Sequence, residues 1–317
     1  MNAGLSPIFR MQETRHDHWQ DAVASQFIPL DFEVARSTPF HGRGLCVRLQ
    51  QARVAEVRMC EHRVRRNRHH AATTDGPAVK LLWLINGDGL FQQGNVEHSL
   101  RADQWTFYDA VRPYTLRLSE DARFLSLLYT GEDAERWMRQ ARDLGSAPRP
   151  VEGPTRIAQL TLRSAMREKG GLDVLTQAAL LDSVLNLTES ALRQEQASRR
   201  DADRRDGLRL AEARRFVLQH LGDPTLGPED IALALHMSRR SLYNLFAAAG
   251  MRPRAFIQQL RLERACEILS AAGASSGNIT RIALEHGFAD VSHFSRSFRE
   301  RFGVSPSAYQ TAASTPR

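Results

Sequence analysis

Two stretches near the C-terminal end of the chain repeat one spacing of apolar residues, glycine and proline. Position for position they are Ile231-Ala232, Met237, Leu242, Phe246, Gly250, Pro253, Ala255 and Phe256 against Ile282-Ala283, Phe288, Phe294, Phe298, Gly303, Pro306, Ala308 and Tyr309. The offset grows from 51 to 53 residues along the repeat. Because turns absorb insertions more easily than helix interiors, this drift predicts two copies of a helix, a tight turn and a second helix, at 226–247 and 278–301.

The positive charge of the chain is concentrated near these repeats. The chain has 317 residues, enough for two domains, and a formal net charge of +7. Residues 205–317 hold 15 arginines against 10 acidic residues, so most of the excess lies there. Either this part binds a polyanion, or it is a basic surface without a partner.

Cysteine usage and hydropathy predict the compartment. Cys46, Cys60 and Cys266 are widely spaced and form no C-x-x-C pair, which argues against a disulfide scaffold or a zinc ribbon. The sequence has no apolar run of 18 residues, and its first 26 residues are mixed polar rather than leader-like. We therefore expect a cytoplasmic protein that does not span a membrane.

The first 150 residues have the pattern of an all-β domain. Between Ile28 and Tyr129, short apolar or alternating runs follow one another every 8–12 residues, with Gly- and Asn-rich turns between them. This spacing predicts an antiparallel sandwich or barrel.

Residues 151–206 change to a helical rhythm, with leucines three and four apart. These helices either pack on the β-domain or form a dimer interface. The mixed-charge segment 198–206 is expected to be a linker or an exposed helical tether, and 207–317 an all-α domain.

The second helix of each repeat has one apolar face and one polar face. In the second copy Phe294 and Phe298 oppose a face of short hydroxyls and arginine, and in the first copy Leu242 and Phe246 oppose arginine, tyrosine and asparagine. Arginine can bridge guanine O6 and N7, and asparagine suits adenine. Each polar residue alone is equally consistent with a solvated helix face, but two such faces in tandem favour DNA binding.

The stretch 282–299, followed by 302–309, resembles the signature of the AraC/XylS family of bacterial transcription regulators. In that family the second helix of each unit reads the DNA major groove, and the long helix through 260–265 separates the two units. The resemblance implies phosphate contacts for Arg239 and Arg299 and base contacts for the other residues of the set that follows. The implied DNA-binding residues are Arg239, Arg240, Tyr243, Asn244, Val291, Ser292, Ser295, Arg296 and Arg299.

One turn residue departs from the repeat. The second unit has Gly287 in its turn, whereas the first has His236 at the matching position. Histidine adopts positive φ only at some strain. We therefore expect either an altered first turn or a small loss of stability there.

The N-terminal part resembles the cupin-like sensor domain of the same family, through 79–89 and 105–114. The turn before Trp105 is Ala102-Asp103-Gln104, where the family often has Pro-Gly-Asp. The resemblance implies a barrel that binds a small effector and biases DNA binding.

Two further features of this part bear on a metal site and on an effector pocket. His62, His69, His70, Glu97 and His98 lack the H-x-H spacing of a cupin metal site, and His69 and His70 would point to opposite faces of a strand, so we expect no metal and no cofactor. The arginine-rich run 63–68 either lines a pocket for an anionic effector or guards an exposed edge strand.

The sequence thus predicts an α+β multidomain regulator: a cupin-like barrel at 1–150, a helical connector at 151–206 and a paired helix-turn-helix domain at 207–317. Its expected partners are double-stranded DNA, a small-molecule effector, RNA polymerase and a second copy in a homodimer. No nucleotide-binding or hydrolase motif is present, so it is not expected to be an enzyme. The alternatives are a metal-dependent cupin enzyme fused to a DNA-binding module and a ligand-independent regulator.

Overall fold

The computed structural model describes residues 7–13, 15–34, 39–72, 76–168, 172–271 and 279–313. The chain forms two compact units, Met1–Ala197 and Ser198–Arg317. Across the described ranges, every helix is too short or too polar to cross a bilayer.

The first unit is built on two antiparallel sheets. In spatial order the larger sheet contains β1 (Pro7–Glu13), β3 (Gly42–Leu49), β4 (Ala52–Met59), β11 (Ala122–Thr130), β6 (Ala78–Asn86), β9 (Gln104–Asp109) and β12 (Arg149–Pro150). The smaller sheet contains β2 (Asp31–Val34), β5 (His62–Arg66), β10 (Tyr114–Leu118), β7 (Asp88–Gln93) and β8 (Val96–Arg101). The predicted antiparallel β-domain is confirmed.

Alternate residues of the larger sheet enter two different cores, because successive strand side chains point to opposite faces. On β6, Val79, Leu81 and Trp83 belong to an outer core, whereas Leu82 and Leu84 belong to the core between the two sheets. The two sheets therefore enclose a barrel-like interior.

Helices cover the outer face of the larger sheet. The helices of this unit are α1 (His16–Gln26), α2 (Arg68–Ala72), α3 (Glu132–Ala141), α4 (Gly153–Ala165) and the first part of α5 (Val174–Gln219). Trp137 of α3 meets Phe107 edge-on at 4.9 Å between ring centroids, and Leu162 of α4 and Leu185 of α5 complete the outer core. The connector helices thus pack on the β-domain, one of the two expected arrangements.

Two local expectations were wrong. His69 and His70 lie on helix α2 rather than on a strand. Strand β5 pairs with both β2 and β10, so the arginine-rich run is not an edge strand.

Residues 198–206, expected to be a linker or an exposed helical tether, belong to the single 46-residue helix α5. Ion pairs one turn apart, Arg204 with Asp201 and Arg209 with Asp206, stabilise the helical conformation of this polar stretch. The tether expected as one alternative is therefore helical.

The second unit is all-α, as expected. After the end of α5 it contains α6 (Pro228–Ala234), α7 (Arg239–Ala248), α8 (Pro253–Ala271), α9 (Ile279–Glu285), α10 (Val291–Phe302) and α11 (Pro306–Ala313). Helix α8 serves both repeats: Ile257 and Leu260 enter the core of the first, and Leu262 and Leu269 enter the core of the second.

The turns of the two repeats have the same pattern of backbone hydrogen bonds. The amide of Met237 donates to the carbonyl of Ala232 at 2.8 Å, and the amide of Phe288 donates to that of Ala283 at 3.0 Å. Both turns need a positive φ, which is +73° at Gly287 and +50° at His236. The first turn is therefore not altered, and His236 has the expected left-handed conformation.

Replacing Gly287 with alanine is expected to destabilise the second unit strongly. A Cβ atom there would lie 2.3 Å from the carbonyl oxygen of Leu221, in addition to the left-handed φ. Gly303→Ala is the matched control, because Gly303 has φ +81° with open space around it. We expect a loss of about 1–2 kcal/mol for the control and clearly more for Gly287→Ala in urea unfolding; equal losses would contradict the steric argument.

His236→Gly is expected to stabilise the protein by about 0.5–1 kcal/mol, because relief of left-handed strain exceeds the backbone entropy cost of glycine. His236→Ala removes the same imidazole and keeps the strain, so it should give no gain. Thermal unfolding of the three proteins measures this, and an unchanged or lower melting temperature for His236→Gly would refute the strain.

Candidate DNA-binding surface and sensor cavity

The start of each second helix is fixed by a side-chain cap. The Asp290 carboxylate accepts hydrogen bonds from the amides of Ser292 at 2.9 Å and His293 at 3.2 Å, and these bonds hold the pKa of Asp290 below its usual range. The hydroxyl of Ser238 accepts from the amide of Ser241 at 3.1 Å. Helices α10 and α7 therefore begin at defined residues.

Helix α10 presents a polar face opposite its aromatic face. Phe294 and Phe298 are fully buried, whereas the predicted contact residues are on the accessible side. Ser292, Arg296 and Arg299 are exposed, and Val291 and Ser295 are half-buried. Val291 also packs against the core of the second repeat. The structure thus brings these five residues onto one helix, with Val291 at the edge of the core.

Helix α7 has the same arrangement. Arg239, Arg240, Tyr243 and Asn244 are exposed, while its leucines and phenylalanine are buried. The Nε atom of Arg239 lies 3.4 Å from a carboxylate oxygen of Glu229, and its guanidinium lies 5.6 Å from the centre of the Tyr243 ring. Arg239 is therefore held beside α6 before any contact with a phosphate.

Polar contacts from α8 fix the positions of its neighbours. Gln258 donates to the hydroxyl of Ser297 on α10 at 2.8 Å, and Glu263 pairs with Arg301 at 2.8 Å. Arg261 donates to the carbonyl of Asp223 and lies against the Gly287 turn. Sequence reasoning did not single out these three α8 residues, since their role depends on which helix faces them.

The second candidate site is the interior of the barrel, where a cavity of about 50 Å³ lies between the two sheets and α1. Its walls are mostly apolar and include Trp19 and Val23 of α1 and Phe27, the residue that follows this helix. A void of this size exceeds the space that one water molecule needs.

Four polar side chains converge in this interior as two cross-strand pairs. On the larger sheet Lys80 is directly opposite Tyr108, and on the smaller sheet Arg66 is directly opposite Tyr114. The rings of Tyr108 and Tyr114 meet edge-on with their centroids 4.8 Å apart, which joins the two pairs. We name Arg66, Lys80, Tyr108 and Tyr114 the interior polar cluster.

Burial perturbs the ionisation of this cluster. Desolvation, and then the nearby charge of Arg66, lower the pKa of Lys80 to about 8. Burial raises the pKa of both tyrosines, an effect that the Arg66 charge partly opposes at Tyr114. At neutral pH the wall of the cavity therefore contains one cation, Lys80, and two neutral phenols, while Arg66 is buried beside Tyr114 but is not part of the wall.

The arginine-rich run divides between the two faces of β5. Arg63 and Arg65 point outward and form ion pairs with Glu33 and Asp31, at 3.4 and 3.6 Å. Arg66 is 1% exposed and points inward. The edge-strand interpretation of this run is therefore wrong. That the run lines a pocket stays a prediction, because none of its arginines is among the residues that line the interior cavity.

A larger groove of about 610 Å³ lies outside the barrel, between the β7–β8 hairpin and α3. It is open to solvent, and several of its charged side chains already have partners: Arg139 pairs with Glu135 at 2.8 Å, and Asp109 accepts from the amide of Val111. Effector sites are typically enclosed and apolar with a few convergent polar groups. The interior cavity matches the apolar lining of such sites, whereas the larger groove matches their volume of roughly 300–1,000 Å³.

The histidines considered for a metal site do not come together. Among the described residues, the only cluster of three with metal-ligand spacing is His41, Glu120 and Asp121, at the surface, where Arg58 already pairs with Asp121 at 3.1 Å. His62 is buried in the barrel, where its Nδ1 donates to the carbonyl of Cys60 and burial lowers its pKa to about 4. His62 is therefore a neutral interior residue.

Comparison with known proteins gives matches for both parts of the chain. Residues 19–193, more than half of the chain, match the model of an AraC-binding-like domain, and residues 231–312 match that of a helix-turn-helix domain. The transcriptional activator NphR of Rhodococcus sp. is 42% identical over 101 residues, which cover 32% of this chain and 29% of NphR. The match therefore spans less than a third of that relative's length.

Two other matches cover most of the chain. An uncharacterized protein in the nit 5' region of Bacillus sp. (strain OxB-1) is 23% identical over 226 residues, or 70% of this chain and 88% of that protein. The crystal structure of the AraC-like transcriptional activator CuxR aligns with a TM-score of 0.51 and 14% identity over 81% of this chain and 94% of CuxR, which shows a shared fold. With an AraC-binding-like domain over more than half of its length and a helix-turn-helix domain after it, the chain belongs to the AraC/XylS family of transcription regulators.

Proposed function

We propose that the protein is a sequence-specific, DNA-binding activator of transcription whose N-terminal barrel binds a small-molecule effector. The observation that carries the proposal is the pair of matching helices α7 and α10, each capped, anchored by aromatic side chains and exposed along a polar face. The role of activator is supported by the name of NphR, which resembles this chain in the helix-turn-helix part.

On DNA, α7 and α10 would enter neighbouring segments of the major groove. We assign base contacts to Arg240, Tyr243 and Asn244 of α7, and phosphate contacts to Arg239 and Arg299. On α10 the base contacts fall to Ser292, Ser295 and Arg296, while the half-buried Val291 offers an apolar edge of the kind that contacts a thymine methyl.

We propose residues 1–150 as the sensor, 151–206 as the connector and 207–317 as the DNA-binding domain. An effector that favours one arrangement of these parts by about 1–3 kcal/mol would change DNA occupancy roughly 5- to 150-fold. Ile157 and Leu160 of α4, each 54% exposed, support a homodimer through this helix. Contact with RNA polymerase follows from the proposed role as an activator.

The same proposal places the protein in the cytoplasm, where it meets the DNA and the polymerase. It also gives the barrel a binding role rather than an enzymatic one. The match of residues 19–193 to an AraC-binding-like domain supports this.

The test is footprinting of the purified full-length protein on DNA that flanks its own gene, over a series of salt concentrations. A protected stretch that covers two adjacent major-groove segments on one face of the DNA, doubled in direct repeat for a dimer, is expected. Uniform binding along the fragment that disappears as salt rises would contradict sequence-specific recognition.

Arg296→Ala is expected to weaken binding to that site by about 1–3 kcal/mol and to relax the preference at one base pair. Arg264→Ala is the matched control: it removes an equal charge from α8, where Arg264 pairs with Glu267 at 2.6 Å. Binding to the site and to single-base variants is measured by titration at fixed salt. Equal losses for the two variants, with preference unchanged, would remove Arg296 from the base-reading set.

A further inference from the structure

We infer that a direct contact between two turns holds the two helix-turn-helix repeats in one orientation, and that Arg261 is the positioning residue of this contact. The contact joins the turn after α5, at residues 221–223, to the turn between α9 and α10, at residues 285–287. We call it the turn contact. The inference rests on the proposed reading of DNA by α7 and α10, and it names what sets the spacing of the two DNA segments that these helices read.

The two repeats have separate hydrophobic cores. Among the described residues none belongs to both cores, and along α8 Leu260 is in the first and Leu262 in the second. Arg261 therefore lies on α8 where one core ends and the other begins. A groove of about 570 Å³ is lined by residues of both repeats. The orientation of the repeats thus depends on α8 and on the contacts that cross from one repeat to the other.

The turn contact brings backbone against backbone. A Cβ atom at Gly287 would lie 2.3 Å from the carbonyl oxygen of Leu221, and one at Gly222 would lie 3.0 Å from that of Glu285. Each turn therefore has glycine where it meets the other, since a side chain on either turn would push the two apart. Because close-packed groups transmit displacement, the two turns move together.

Arg261 reaches both turns from α8. Its guanidinium donates to the carbonyl of Asp223 in the first turn, and a nitrogen of the same group would lie 2.7 Å from a Cβ atom at Gly287 in the second. An arginine in a protein is always charged, so its bond to the carbonyl is a charge-assisted one and stronger than a bond between neutral groups. Arg261 thus ties the turn contact to the boundary between the two cores.

The other polar contacts between the repeats run through α8. Gln258 donates to Ser297 of α10 at 2.8 Å. Glu263 pairs with Arg301 of α10 at 2.8 Å and with Arg214 of α5 at 3.8 Å. These contacts hold neighbouring helices to α8, and a helix can curve along its length. The turn contact differs because it joins the repeats directly, so that curvature of α8 alone cannot change their orientation.

A fixed orientation of the repeats limits the DNA spacing that they can read. Neighbouring major-groove segments on one face of DNA recur about every 10–10.5 base pairs. One added base pair therefore turns the second segment by about 35° and moves it by about 3.4 Å along the axis. Rigidly joined repeats cannot follow this change without losing the contacts of one recognition helix, whereas loosely joined repeats can.

The first test compares DNA sites of different spacing. One base pair is added or removed between the two segments that the wild type protects in a footprint, and binding to each duplex is titrated at fixed salt. We expect the wild type to lose about 10- to 100-fold in affinity with either change. Arg261→Met should bind the natural site less tightly and lose less than about 3-fold on the altered sites. A variant that is merely less stable would keep the spacing preference of the wild type.

Controls and a second variant separate the turn contact from general damage. Arg264→Met is the control for Arg261→Met, because Arg264 is on the same helix and pairs with Glu267 at the surface. Gly222→Ala keeps the arginine and forces the turns apart, and Gly207→Ala is its control, because a Cβ atom there meets open space. Both variants of the contact should weaken the spacing preference, and both controls should keep it. If Arg261→Met does not fold, the comparison of Gly222→Ala with Gly207→Ala decides.

A second test measures the orientation of the repeats without DNA. Spin labels are placed on the exposed positions 233 of α6 and 284 of α9, through Leu233→Cys and Leu284→Cys, with Cys266→Ser to remove the accessible native thiol. Excess unlabelled protein suppresses distances between chains. The full-length protein should give a narrow distribution of distances between the labels, and Arg261→Met should broaden it at a temperature where both proteins are folded.

The two tests separate the failure of this inference from the failure of the proposed function. A two-segment footprint whose spacing preference is the same in the wild type and in Arg261→Met overturns the inference and leaves the function standing. Uniform binding along the DNA, together with a distance distribution that Arg261→Met broadens, would contradict the function and support the turn contact. Equal distance distributions for the two proteins would overturn the inference whatever the DNA results are.

Discussion

The larger sheet of the first unit lies between two cores, and this constraint positions everything that the sensor contains. From Ala78 to Leu84 strand β6 is buried on both faces. Lys80 points into the barrel, while Val79 and Leu81 on either side of it pack in the outer core with α3, α4 and α5. The cavity and the connector helices are therefore separated by one layer of backbone. Because close-packed interiors transmit displacement rather than absorb it, any movement of β6 would reach those helices directly.

In the second unit the corresponding constraint is α8, which supplies core residues to both repeats. It also explains why the two turns differ. The Gly287 turn is pressed against the carbonyl of Leu221 and the Arg261 side chain, so a side chain has no space there. His236 is exposed, and its turn needs only the left-handed φ. At position 287 both the left-handed φ and the lack of space require glycine. At position 236 only the φ favours glycine, and histidine is therefore tolerated there.

Much of this arrangement was predictable from the sequence because it depends on local periodicity. The repeat predicts α6 to α10 and their buried phenylalanines, and the alternating runs predict the inner strands. His69 and His70 were misassigned because five residues are too few to show a helical period. Residues 198–206 were expected to be either a linker or a helical tether because they lack apolar side chains, and ion pairs one turn apart stabilise the helical alternative.

The interior polar cluster could not be derived from sequence, since Lys80 and Tyr108, or Arg66 and Tyr114, become neighbours only through the strand register. A single lysine inside the apolar run 79–84 was the one available signal. The DNA-contact residues were selected by helix position and by resemblance, and the structure adds that Val291 is shared with the core.

The choice of lysine at position 80 has a physical reason of its own. All but two of the 43 basic residues in the chain are arginine. Arginine cannot lose its proton inside a protein, whereas a buried lysine can, and its flexible stem can follow a ligand. Arg66 is anchored by its hydrogen bond to the carbonyl of Pro29 at 2.9 Å, so it supplies a fixed charge. Lys80 supplies an adjustable one, because burial disfavours its protonated form and lowers its pKa to about 8. The protonation state of Lys80 therefore sets the charge inside the barrel, on a strand whose opposite face packs against the core that contains α4 and α5.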